Sequence, residues 1–217
     1  MPTWIKQWMR FLPYSFLVTL VLIILVALLV PPERELGTKL SIVLVHGAWV
    51  WVGLIAFGAA ALAGLAGLLL RRPSWHNLSL ALGRTGLVFW LTYLPMSLYV
   101  MTITWGAPYF DEPRWRIPMM FGVVGLLLQI GLTLVNMPVL ASAANLVFGV
   151  TLWVFLGSAA NVLHPDSPVG GSGSAVIPAF FLTLLVLTML LGVQIALWWL
   201  QRTLNNRTRP HEHQSCG

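Results

Sequence analysis

The sequence predicts an all-α polytopic membrane protein, a bundle of six transmembrane helices with both termini in the cytoplasm. Three observations predict it. Of 217 residues, 58% are hydrophobic and only 8% charged, whereas soluble domains are about 25% charged, which excludes an ordinary soluble fold. The apolar residues fall into six long runs separated by charged or Gly/Pro-rich breaks, each near or above the roughly 20 residues that a bilayer crossing needs. These runs are far too long for barrel strands, and helices are the other structure that satisfies its own backbone hydrogen bonds in lipid.

The first span, about 12–30, follows a basic start (Lys6, Arg10) in the manner of a signal peptide. It is longer than the apolar region of such a peptide, about 7–15 residues, and ends in Pro31-Pro32-Glu33 with no small-x-small cleavage site, so it is expected to be retained. The second, about 40–70, would be roughly 46 Å long as a helix, more than the hydrocarbon core, so it should tilt or project. Its ladder of Gly58, Ala59, Ala63, Gly64 and Gly67 suits close helix contact. An inner loop over 71–83 then places His76 at the membrane surface, and the third span runs over about 84–104. The fourth, fifth and sixth follow at about 117–137, 142–163 and 175–202. The transmembrane domain thus covers 1–204. The polar segment 205–217 reads as a disordered cytoplasmic tail, its His211 and His213 solvated. No internal repeat is evident.

Charge orients the bundle. With the N-terminus inside, the inner segments hold Lys6, Arg10, Arg71, Arg72, Arg84, Arg202, Arg207 and Arg209, and the outer ones Arg34, Lys39, Arg114 and Arg116. Eight against four follows the positive-inside rule. Glu33, Glu35, Asp111, Glu112 and Asp166 fall outside, leaving only Glu212 inside. The net +6 therefore forms no basic face for nucleic acid. The single cysteine, Cys216, excludes an internal disulfide, and no CxxCH exists for covalent haem attachment.

Two of the five histidines, His46 and His164, lie within or at the end of a span, where ionisable groups are costly and are candidates for function. In this orientation both fall near the outer leaflet. Two imidazoles from different helices suit a metal or the two faces of a haem iron, and haem fits better than zinc because no further Cys, Asp or Glu ligand is evident. Trp49 lies one turn from His46, Gly47 and Gly53 leave room for close approach, and Trp105, Tyr109, Phe110 and Trp115 gather in or beside the outer loop. Arg114 and Arg116 suit haem propionates. Each feature has a structural alternative. His164-Pro165-Asp166 also makes a turn, the aromatics form an interfacial belt, and the two arginines balance Asp111 and Glu112.

At these residues the chain resembles the haem-handling membrane proteins of cytochrome c maturation, specifically the CcmC branch. Segment 39–49 is similar to the family's histidine-bearing entry to span two, 135–139 to its span-four exit, and 161–164 to the segment with its second axial histidine. Of the family's tryptophan-rich loop, Trp105, Gly106 and Arg114 match. Glu112 takes an Asp position, while Pro108, Tyr109 and Asp111 replace tryptophans, and Gly47 stands where proline is usual. The resemblance implies haem b bound noncovalently by His46 and His164, with Trp49, Trp105, Gly106, Tyr109, Arg114 and Arg116 around it, at the periplasmic face of the inner (plasma) membrane. It also implies non-catalytic haem handling or export, with ABC-transporter-type ATP-binding and membrane subunits and a periplasmic haem chaperone as partners. The altered loop favours haem binding over chaperone delivery. The alternative is a b-type haem or structural subunit of a membrane electron-transfer complex. No nucleophile, paired carboxylates or phosphate loop points to an enzyme.

Overall fold

A computed structural model describes residues 11–160 and 174–208, with side chains through Leu204. These residues form six α-helices and no strand: α1 Leu12–Leu28, α2 Leu40–Leu70, α3 Pro73–Trp105, α4 Pro113–Val135, α5 Pro138–Gly157 and α6 Val176–Thr208. Helices α2 to α6 are each long and apolar enough to cross a membrane, and α1 is a shorter apolar helix. Their outward faces carry Leu62, Leu69, Leu127, Leu134 and Val147, all well exposed. An apolar surface of this extent has no place in water and suits a lipid bilayer.

The α2–α3 hairpin is the centre of the bundle. Helix α2 spans 31 residues, from Leu40 after Lys39 to Leu70 before Arg71, so charged side chains bracket it at both ends. Of the expected loop over 71–83, only Arg71 and Arg72 are non-helical. Arg71 caps α2 in the left-handed region (φ 52°), Arg72 is extended, and Pro73 opens α3 at once. Proline suits that first position because its missing N–H would have no partner there and its φ is preset. Helix α3 therefore has 33 residues, about 50 Å at 1.5 Å per residue, well beyond the span of about 84–104. Similarly, α5 starts at Pro138 after a left-handed Asn136 (φ 52°) and ends at Gly157, where the sequence suggests 142–163.

One face of α2 repeats Leu40, Leu44, Ala48 and Val52 at one-turn spacing. It packs with Ile23 of α1, Phe89 of α3, and Ile177, Leu184 and Leu191 of α6. Phe57, on the other face, joins Leu87, Trp90, Phe148 and Leu152 from α3 and α5. Because α2 and α3 are antiparallel, residue 105 returns beside residue 40, and the Lys39 ammonium donates to the Ile103 carbonyl. The loops 29–39 and 106–112 thus share one end of the bundle, and Arg71 and Arg72 lie at the other.

Candidate functional site

His46 lies about two turns into α2, at the loop end. Its partly buried ring packs against Tyr93 of α3, with centroids 5.0 Å apart. Tyr93 is buried, and its hydroxyl donates to the Arg114 carbonyl oxygen at 3.2 Å. Helix α4 begins there because Pro113 occupies its first turn and Glu112 caps it, the carboxylate accepting from the Arg114 amide at 3.3 Å. A side-chain path therefore runs from His46 through Tyr93 to the start of α4. His164, Asn161 and the rest of 161–173 lie outside the described residues.

The other expected site residues divide into two groups. Trp49 is turned into the hairpin: its Nε1 donates to Thr92 Oγ1 at 2.8 Å and its ring lies 4.9 Å from Phe89. The space expected beside Gly47 and Gly53 is taken, since a Cβ would stand 3.3 Å from Phe181 at one and 3.2 Å from Trp90 at the other. Trp105 ends α3, and Gly106 adopts φ 86°, a conformation that favours glycine, to turn the chain into the loop. Trp105, Tyr109, Arg114 and Arg116 are exposed, whereas Trp115 is buried edge-on to Phe110. Trp115 Nε1 has no hydrogen-bond partner among the described residues.

Outside the membrane-spanning helices, the Glu33 carboxylate accepts from the amides of Glu35 (2.9 Å) and Leu36 (3.1 Å). The Leu36 bond, followed by that of Glu35, holds its pKa below the ordinary carboxylate value.

At the opposite end the structure gathers a second set of polar side chains. His76, expected at the membrane surface, is buried in the second turn of α3, with Nδ1 sharing a 2.7 Å hydrogen bond with Ser142 Oγ of α5. Ser79 donates to the Ala60 carbonyl at 2.8 Å, Asn145 Nδ2 donates to Ser79 O at 3.0 Å and Oγ at 3.2 Å, and Gln129 Nε2 donates to Asn145 Oδ1 at 2.9 Å. Four helices are joined by this chain. It fits because α2 offers no side chain there: a Cβ on Gly64 would lie 2.5 Å from the Ser142 carbonyl oxygen, and one on Gly67 would lie 2.7 Å from His76 Nδ1. The ladder of small residues on α2 was the available signal, pointing to close contact without saying that polar groups fill it.

Among the described residues no group of three or more His, Cys, Asp or Glu converges as a metal site would. The chain matches none of the protein-family models against which it was compared, and no curated protein is similar to it at a significant level.

Proposed function

We propose that this is a six-span membrane protein with both termini cytoplasmic that binds haem noncovalently at the His46 end, and handles or exports it for cytochrome c maturation. The observation that carries the reading is the placement of His46. Its imidazole lies at membrane depth, packed on an aromatic ring, and Tyr93 links that ring to the helix start bearing Arg114 and Arg116. An imidazole ligand, aromatic walls and exposed guanidinium groups for the propionates form a donor set that fits haem. Bound there, haem would supply reversible one-electron chemistry. Within this reading His46 and His164 would hold the group, Tyr93 would orient the His46 ring, and Arg114 and Arg116 would receive the carboxylates. Trp49 stiffens the hairpin beside them.

The distribution of charge supports the orientation. By sequence, eight Lys and Arg residues fall in the segments assigned to the other end and four, Arg34, Lys39, Arg114 and Arg116, in those at the His46 end, as the positive-inside rule expects if the His46 end is periplasmic. The haem is passed to a periplasmic chaperone and any ATP is hydrolysed by partner subunits. The deciding experiment is the absorption spectrum of the detergent-purified protein with His46→Ala and His164→Ala. The wild type should show a Soret band that each substitution weakens. A wild type without that band, or substitutions that leave it unchanged, would defeat the proposal. Haem that is not surrendered to an apo-acceptor but is reversibly reduced would select the electron-transfer alternative.

A further inference from the structure

A cleft of about 460 Å³ opens between α3, α4 and α6, at the end remote from His46 and within the roughly 300–1,000 Å³ of small-molecule pockets. Two arginines from different helices face it. Arg84 of α3 is partly buried, donates through Nη2 to Thr133 Oγ1 at 3.1 Å and lies 5.1 Å from the Trp199 ring centroid. Arg202 of α6 stands 4.3 Å over Trp198. Among the described residues neither guanidinium has an acidic neighbour: the four described carboxylates are in the loops at the other end of the bundle. Stacking on indole orients a guanidinium without neutralising it. The buried Nε1 of Trp199, which lines the same cleft, is a further donor with no partner among the described residues. The wall also carries Gln129, Thr133 and Thr203, and its apolar residues Val88, Leu126 and Ile130 lead along α3 and α4 away from the arginines.

We infer that this cleft binds an anionic phospholipid, with the phosphate on Arg84 and Arg202 and an acyl chain along Val88, Leu126 and Ile130. Two cations with no carboxylate beside them among the described residues, at the mouth of a groove with an apolar strip, complement a molecule that is anionic at one end and hydrocarbon at the other. A guanidinium also binds phosphate oxygens in a fork that a zwitterionic headgroup, carrying its own cation, engages less strongly. The site is independent of the haem reading, since it shares no residue with it.

The test is native mass spectrometry of the detergent-purified full chain, titrated with phosphatidylglycerol or with phosphatidylcholine of the same acyl chains. Roughly a fivefold gain for each arginine gives an expected preference of about 30-fold for phosphatidylglycerol, with Arg84→Gln and Arg202→Gln each losing about fivefold of it. Inorganic phosphate should not displace the lipid. Equal binding of the two lipids, full preference in either variant, or displacement by inorganic phosphate at equal concentration would overturn the proposal. Should an arginine variant fail to fold, Ile130→Trp decides: it fills the groove, leaves both cations in place, and must weaken phosphatidylglycerol binding.

Discussion

Replacing Asn145 with leucine probes the polar chain that joins α3, α4 and α5. Asn145 is buried, accepts from Gln129 Nε2 at 2.9 Å and donates to Ser79 O and Oγ at 3.0 and 3.2 Å. Leucine has the same branched arrangement of heavy atoms, so the substitution removes the hydrogen bonds while keeping the side chain's shape, at the cost of two bulkier methyl groups. Interhelical hydrogen bonds in membrane bundles contribute about 0.6 kcal/mol on average, and up to about 1.7. Losing the bonds to both neighbours should therefore cost about 1–3 kcal/mol. Part of that cost is Gln129 Nε2, left buried without its acceptor. Gln129→Leu alone strands Asn145 Oδ1 instead, and Asn145→Leu combined with Gln129→Leu strands neither. The double substitution should consequently be less destabilising than the sum of the singles by about 1 kcal/mol. Denaturant unfolding in detergent micelles reads all three. Additive singles, or an Asn145→Leu protein as stable as wild type, would refute the claim that this chain holds the helices together.

Gly64→Leu should destabilise more than Asn145→Leu, because its Cβ would lie 2.5 Å from a backbone oxygen of α5 and the helices must separate. Overpacking of this kind costs about 1–3 kcal/mol or more, and the same unfolding assay tests it, with Gly131→Leu, where nothing lies within 4 Å, as the tolerated control. Tyr93→Phe removes the bond to the Arg114 carbonyl and should cost about 0.5–1.5 kcal/mol while shifting the His46 ring resonances in an NMR spectrum; unchanged resonances would remove Tyr93 as the orienting group. The depressed pKa of Glu33 makes the 33–37 turn most stable above the ordinary carboxylate pKa, and that stability is lost as pH falls through the lowered value. Amide exchange at Leu36 should accelerate over that acid range relative to a loop amide without such a partner, and Glu33→Gln should abolish the dependence.

The limits of α2 were legible because a charged residue stands at each end of an unbroken apolar run, and the all-helical membrane class followed from the apolar composition together with the length of the runs. The start of α3 was not legible from hydropathy, because Arg71-Arg72-Pro73-Ser74-Trp75-His76-Asn77 is as polar as a loop. Two physical signs nonetheless mark a helix: Pro73, suited to a first turn, and the glycines at 64 and 67 on the facing strip of α2, which leave room for Ser79 and His76. Polar side chains enter a helix bundle where they can bond to one another, and a hydropathy average cannot detect such pairing, since Ser79, Gln129 and Asn145 are 16 to 66 residues apart in sequence. At the His46 end the sequence offers a histidine within an apolar run as its one unusual feature, since aromatics and arginines are common at span boundaries. What the fold adds there is Tyr93, an ordinary apolar-run residue by sequence, which becomes the contact between His46 and the start of α4. The bundle thus gathers polar groups at both ends: at one they bond to each other and fasten four helices, and at the other His46 packs on Tyr93, whose hydroxyl bonds the start of the helix that carries Arg114 and Arg116.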